Sequence, residues 1–332
     1  MTDQPRMPLD GPYFDDFRSG ETLPPAPPIT IGVGETALYQ AIVGDPYALA
    51  LSRPLVHAVT GDPRPIVNPA LALHFSIGQS TVATRRVVAN LFYRGVILRR
   101  PVRVGETLST TVQVRGLKET SRKPDRPPRG MALLGIHTIS DTGDVIADYE
   151  RCALVPLRDP APTGHADDLG ATQRPLEFAD YAPFAPIEWN LRPLGAPTDW
   201  QLDEVRDDPM RDSVTDAPAL VRLTQNQAAV HRDARLGQQG RRLVYGGHTI
   251  GLAQASLARL LPSLAHVIGW HSCDHIGPVF EDDVLSFSSR LTATQPLGDG
   301  RLLAFRVLVY AEREGLEAPA HVLDWQPVVF AA

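Results

Sequence analysis

A chain of 332 residues is long for one domain and sufficient for two, each with its own core. Its net charge of −6 argues against a nucleic-acid-binding protein, which needs a basic face. No run of 18 apolar residues occurs, and the first 28 residues contain proline and acidic groups instead of an apolar signal core, so we expect a cytoplasmic protein without a membrane partner. Cys152 and Cys273 lie far apart in no metal-binding pattern, which predicts neither a disulfide framework nor a zinc site.

The predicted elements repeat in the two halves of the chain. Each half has one apolar segment with helical spacing, followed by segments in which apolar and polar residues alternate as in half-buried strands. The predicted helices are Val67–Ile77 and Gly246–Leu261, and the predicted strands are Leu108–Val114, Met131–Ile139, Val145–Val155, Leu285–Phe287, Leu303–Val309 and Val322–Val329. One long helix wrapped by long antiparallel strands is the hot-dog arrangement, so the pattern predicts an α+β chain with a double hot-dog fold. A generic pair of α+β domains is the alternative.

A common offset supports this repeat. Arg64–Val67 aligns with Arg241–Val244, and Pro101–Leu108 aligns with Pro278–Leu285, both at a separation of 177 residues. A shared offset at two separate places favours an ancestral duplication. Between the halves, prolines concentrate from Asp159 to Pro197, which indicates an extended linker. We therefore predict an N-terminal hot-dog over residues 1–158, a linker over 159–197 and a C-terminal hot-dog over 198–332.

The candidate catalytic residues lie in the second half. His231 exchanges protons near neutral pH, and Asn226, five residues before it, can hold a water molecule. Gly246 and Gly247 open the predicted helix, where backbone N–H groups can bind a carbonyl oxygen that gains charge. At the offset of 177, Gly246 aligns with Pro69, which has no N–H. We expect catalysis in the second half and accommodation of the remaining ligand in the first.

These residues resemble the MaoC-type (R)-specific enoyl-CoA hydratases. Many members have an Asp, then Asn-Pro, then a His five residues after the Asp, and an Ile-Val-His-Gly turn into the central helix. Here Asn226 stands at the Asp position, Ala228–Ala229 replace Asn-Pro, and Tyr245 replaces the turn His. The segments Leu223–His231 and Gly240–His248 are similar to the mesaconyl-CoA hydratase branch, which has the Asn and the Tyr-Gly-Gly-His turn.

The resemblance implies reversible addition of water to an enoyl-CoA thioester, with coenzyme A as part of the substrate and with no metal and no separate cofactor. In that reaction His231 would deprotonate the water, Asn226 would position it, and the Gly246 N–H would hold the thioester oxygen. Tyr245 and Gly247 would bind the substrate beside them. A carboxylate on the acyl group would need a cation, and the candidates are Arg232, Arg241, Arg242, His248 and His275.

Two other functions stay open at this point. Hot-dog folds also host acyl-CoA thioesterases, which usually need a carboxylate on the central helix, and Gly246–Leu261 contains none. A non-catalytic acyl-CoA-binding protein is compatible with the missing Asp. A homodimer is the oligomeric state that we expect to test in solution.

Overall fold

The computed structural model describes residues 10–124, 126–170, 174–238 and 240–332. Within these residues, two antiparallel sheets each lie against one long buried helix, which confirms the predicted hot-dog pair. The helices are α1 (Val33–Val43), α2 (Ala48–Leu51), α3 (Arg53–Thr60), α4 (Pro69–Ser80), α5 (Ala217–Leu223) and α6 (Gly246–Leu260). The strands are β1 (Thr22–Leu23), β2 (Ile29–Thr30), β3 (Ala89–Arg94), β4 (Val96–Ile97), β5 (Thr107–Glu119), β6 (Arg129–Ser140), β7 (Val145–Pro156), β8 (Val205–Asp207), β9 (Asp212–Ser213), β10 (Leu264–His275), β11 (Val284–Leu297), β12 (Gly300–Glu312) and β13 (Ala320–Ala331).

The two sheets share one strand order. The first runs β1-β5-β6-β7-β3, with β2 beside β5, and the second runs β4-β10-β13-β12-β11-β8, with β9 beside β11. The meander β5-β6-β7 therefore corresponds to β11-β12-β13. The helices α4 and α6 lie in the core: every residue of α4 is buried, as is Gly247–Ala258 of α6. A helix with apolar residues on all sides belongs in such a position.

The predicted offset of 177 residues relates equivalent backbone contacts. The Val67 N–H donates to the Val102 carbonyl and the Val244 N–H donates to the Val279 carbonyl, each at 2.9 Å. Both pairs hold the segment that leads directly into a central helix. The register differs earlier in each half, where the aligned positions are Asp45 and Asn226.

Asp45 and Asn226 occupy equivalent turns. The side-chain oxygen of Asp45 accepts from the Tyr47 N–H at 2.9 Å, and that of Asn226 accepts from the Ala228 N–H at 2.9 Å. The residue before each has a positive φ, 64° at position 44 and 59° at position 225. Here the offset is 181 residues, so the position equivalent to His231 is Ala50 and not the Pro54 that an offset of 177 gives.

One short strand passes from the first half into the second sheet. Gly95, with φ of 66°, separates β3 in the first sheet from Val96–Ile97, which pairs with β10. Ile97 lies opposite Gly269, and a Cβ on Gly269 would lie 2.2 Å from the Val96 carbonyl oxygen. Only glycine permits this approach.

The segment Asp159–Pro197, predicted as a linker, has no strand and no α-helix in its described part, and residues 171–173 lie outside that part. It packs more closely than a surface linker, because Tyr181, Trp189 and Leu191 are buried. The longest helix of the described residues, α6, has 15 residues, and none of the helices there could span a membrane.

Candidate active site

A cavity of about 270 Å³ lies between the two halves. The first half contributes the C-terminal end of α4 and parts of β3 and β7, and the second half contributes the N-terminal end of α6 and the segments around it. The lining residues that concern the chemistry are Thr81, Thr84, Tyr93, Arg151, Asn226, His231, Tyr245, Gly246 and His275. The structure thus gathers the three residues predicted as catalytic in one cavity.

His231 lies in a short 3-10 turn, and its ring is held by the chain that leads into α6. Its Nδ1 is 2.8 Å from the Leu243 carbonyl oxygen. A carbonyl only accepts, so Nδ1 carries the proton and Nε2 keeps its lone pair in the neutral ring. Burial lowers the pKa of His231 to about 4, against the opposing effect of the Leu243 hydrogen bond. The His231 ring is therefore neutral at pH 7.

Asn226 is a fixed donor in the cavity wall. The residue is 1% exposed, and its Oδ1 accepts from the Ala228 N–H at 2.9 Å. This bond fixes the amide orientation and leaves the Nδ2 hydrogens as the group available to a ligand. The Asn226 carbonyl accepts from Arg232 Nε at 2.8 Å and Nη2 at 2.7 Å, which holds the turn in place.

The N-terminal end of α6 is open. Tyr245 precedes the helix and forms no side-chain cap, so the first N–H groups of α6, at Gly246 and Gly247, have no partner from an earlier turn. Gly246 lines the cavity, and a Cβ on it would lie 2.4 Å from His275 Cε1. The absence of a side chain lets the His275 ring and the helix end approach each other. The first N–H of α6 is available to a ligand oxygen.

Tyr245 and His275 complete the wall around this end. The Tyr245 ring packs against Gly247, where a Cβ would lie 2.4 Å from its Cε1, and against the His231 ring at 5.8 Å between centroids. The Tyr245 hydroxyl is buried with no hydrogen-bond partner among the described residues. Burial, and secondarily the nearby His231, lower the pKa of His275 to about 4. His275 is neutral at pH 7 and is not a cation.

The other predicted binding residues do not line this cavity. His248 is fully buried behind the wall, and burial lowers its pKa to about 4. Arg242 forms an ion pair with Glu281 at 2.9 Å. Arg241 stacks on the Phe280 ring at 4.7 Å. The structure therefore places His248, Arg241 and Arg242 outside the cavity wall, and a role for them at the site stays a prediction.

Sequence reasoning missed two first-half residues, Tyr93 of β3 and Arg151 of β7. Arg151 is 3% exposed and lines the cavity. The strand pattern carried the signal for Arg151. This residue is two positions from the buried residues Tyr149 and Ala153 and so lies with them on the core face of β7. A charged residue at such a position needs a partner or a function.

Across the described ranges, no three side chains of His, Cys, Asp or Glu gather in an arrangement that could hold a metal ion. Cys152 and Cys273 are buried free thiols.

Two curated relatives align over most of the chain, whereas no family model matches it. The chain is 30% identical to beta-methylmalyl-CoA dehydratase of Chloroflexus aurantiacus, over 96% of this chain and 96% of that protein. It is 29% identical to mesaconyl-CoA hydratase of Cereibacter sphaeroides, over 92% of this chain and 91% of that protein.

Two solved structures are similar over nearly the full length. RV0216 of Mycobacterium tuberculosis, described as having a double hotdog fold, is 41% identical with a TM-score of 0.90. The match covers 98% of this chain and 100% of that one. A putative MaoC domain dehydratase from Chloroflexus aurantiacus is 27% identical with a TM-score of 0.86, over 98% of this chain and 99% of that one.

Proposed function

Because this chain belongs to the family of MaoC-like, double hot-dog dehydratases that includes mesaconyl-CoA hydratase and beta-methylmalyl-CoA dehydratase, we propose that it hydrates and dehydrates an enoyl-CoA thioester. It is a hydro-lyase of the MaoC type. We propose mesaconyl-CoA, or a close analogue, as the substrate. The observation that carries the proposal is that the His231 ring, with Nδ1 bound to the Leu243 carbonyl, shares one cavity with the open end of α6.

In the proposed hydration, His231 Nε2 removes a proton from a water molecule that the Asn226 amide holds. The water oxygen bonds to the β-carbon, and the electron pair of the C=C bond moves towards the thioester oxygen. The Gly246 N–H donates to that oxygen as its negative charge grows. The imidazolium of His231 then gives its proton to the α-carbon, which returns the base to its neutral form. Dehydration follows these steps in reverse.

The low pKa of His231 fits this cycle. A neutral ring is ready to accept a proton at pH 7, and burial disfavours the imidazolium once it has formed. The enolate charge beside the ring supports the imidazolium transiently, and protonation of the α-carbon removes both charges together. The proton therefore moves on to the substrate and is not retained.

We propose a division of labour between the halves. The C-terminal half, residues 198–332, supplies the base, the water-holding amide and the helix end. The N-terminal half, residues 1–158, supplies Thr81, Thr84 and Tyr93 to the wall and accommodates the acyl group and pantetheine. The thioester carbonyl would lie at Gly246 and not at Asn68 and Pro69, which are buried away from the cavity.

The direct test is a hydration assay with mesaconyl-CoA and crotonyl-CoA that follows the absorbance of the conjugated thioester. Loss of this absorbance without release of free coenzyme A supports a hydratase. Release of free coenzyme A would instead indicate a thioesterase, and binding without turnover would indicate an acyl-CoA-binding protein. The same purified enzyme, after dialysis against a chelator, tests the expected independence from metals. The predicted homodimer is tested by light scattering.

A further inference from the structure

We propose that Arg151 binds a free carboxylate on the acyl group and thereby selects thioesters that carry a carboxylate on the β-carbon over those with a methyl group there. The inference rests on the proposed function for the identity of the ligand. Mesaconyl-CoA, the compound in the name of one relative, has this carboxylate.

The Arg151 guanidinium lacks a counter-ion. Its Nη2 donates to the Ser80 carbonyl at 3.1 Å and to Thr84 Oγ1 at 2.8 Å, and both of these acceptors are uncharged. Its Nε is buried with no acceptor, and no carboxylate of the described residues forms an ion pair with it. A buried charge without a counter-ion is unfavourable, whereas a ligand carboxylate would compensate it.

Other arginines with little exposure are paired. Arg259 binds Asp208 at 2.7 Å and Arg313 binds Asp283 at 2.7 Å. Arg151 differs from them because it faces the cavity that contains His231. The unpaired cation therefore coincides with the place where the acyl group would lie.

Three polar groups of the site already have roles in the proposed reaction. The thioester oxygen is bound at Gly246, and the attacking water lies between Asn226 and His231. A carboxylate on the β-carbon is the further charged group of the substrate within the cavity. Arg is suited to it, because a planar guanidinium offers several donors in a fixed geometry and remains charged when buried.

The decisive experiment measures binding of two saturated thioesters by titration calorimetry. Succinyl-CoA and butyryl-CoA differ only by a carboxylate in place of a methyl group on the same carbon, and neither can be hydrated. We expect the wild-type protein to bind succinyl-CoA at least about tenfold more tightly. Arg151→Met should abolish this preference, and Arg151→Lys should retain part of it because the charge remains without the planar fork.

Turnover gives a second readout. Mesaconyl-CoA is compared with (E)-2-methylbut-2-enoyl-CoA, in which a methyl group replaces the free carboxylate. Arg151→Met should lower kcat/KM for mesaconyl-CoA by about 10²-fold or more and leave the methyl analogue within about threefold. Arg115→Met is the matched control, because Arg115 pairs with Glu150, which precedes Arg151 and lies on the opposite face of β7.

The outcomes separate the two proposals. Equal losses with both substrates in a folded Arg151→Met protein would make Arg151 a structural residue and overturn the inference. The absence of a preference for succinyl-CoA in the wild-type protein would also overturn it. A preference that Arg151→Met removes, in a protein that hydrates neither substrate, would support the carboxylate site and reject the hydratase function. If Arg151→Met fails to fold, an Arg151→Lys protein with an unchanged preference overturns the inference, and a reduced preference supports it.

Discussion

The two halves have the same fold but differ at the N-terminal end of the central helix. In the second half, α6 begins at Gly246 with an uncapped N-terminal end that faces a cavity. In the first half, α4 begins at Pro69, and the preceding Asn68 caps it by accepting from the Ala70 N–H at 2.9 Å. One helix end is available to a ligand, and the other is satisfied by its own chain.

The equivalent turns differ in the same way. Asn226 faces the cavity, whereas Asp45 is enclosed by polar side chains and accepts from Asn68 Nδ2 and Gln254 Nε2, each at 2.7 Å. Gln254 aligns with Ile77, which lines the cavity. In the first half the polar groups of this turn are thus bound to partners within the protein, although the backbone of the turn is retained.

The largest effect is expected from the base. His231→Ala should lower kcat by at least about 10²-fold, because it removes the imidazole whose free nitrogen is oriented by the Leu243 hydrogen bond. Adding Ala50→His to this variant should restore nothing, since α4 of the first half begins at Pro69, which has no N–H, where α6 begins at Gly246. The hydration rate with mesaconyl-CoA measures both. A folded His231→Ala protein with the wild-type rate would contradict the assignment.

The second effect isolates the helix N–H. Because a Cβ at position 246 would meet His275, the comparison is made in a His275→Ala background. In that background Gly246→Ala keeps the N–H and Gly246→Pro removes it, which makes the start of α6 like that of α4. We expect the Pro variant to have about 10²- to 10³-fold lower kcat than the Ala variant. Equal rates would mean that the N–H does not bind the thioester oxygen.

A smaller effect distinguishes the two equivalent turns. Asn226→Ala should lower kcat by about tenfold, because it removes one hydrogen bond to the water, and Asn226→Asp should leave an active enzyme. Asp45→Ala should leave kcat within about threefold but reduce the free energy of unfolding by about 1–3 kcal/mol, since Asn68 and Gln254 lose their acceptor. Urea unfolding and hydration rates provide both values. A folded, inactive Asp45→Ala protein would reject the comparison.

The smallest effect at neutral pH is that of a buried histidine outside the site, His266, on the pH dependence of stability. Burial lowers the pKa of His266 to about 3, so the unfolded chain binds its proton more readily than the native protein. The contribution of His266 to the free energy of unfolding is fully present above about pH 6.5. It falls as the pH decreases towards 3, by about 1.4 kcal/mol per pH unit for such a histidine. His266→Phe should reduce this slope in urea unfolding at pH 5–7.

Activity should respond at lower pH than stability. The pKa of His231 is about 4, so kcat/KM should be flat from pH 8 to 5 and decrease only as His231 becomes protonated below that range. Rates measured in the folded protein test this order. A decrease centred near pH 6.5 would show that the base is not buried as described.

The sequence predicted the strands that have one core face and one outer face, such as β5 and β12. It did not predict β10, because Leu264–Trp270 is buried throughout and shows no alternation. The site was predictable where its residues are close in the chain, from Asn226 to Gly246. The strand pattern places Arg151 on the core face of β7, but its position in the same cavity wall as His231 depends on how the two halves pack.

The passage of Val96–Ile97 into the second sheet has a consequence for dissecting the protein. The Leu98 N–H also donates to the Ile268 carbonyl, at 2.7 Å, so the first half closes an edge of β10. A fragment cut within Asp159–Pro197 would expose that edge as unpaired backbone, an available template for another chain. Each repeat of the duplicated sequence is therefore not an independent folding unit. A second half expressed alone would present the edge of β10 for association with other chains.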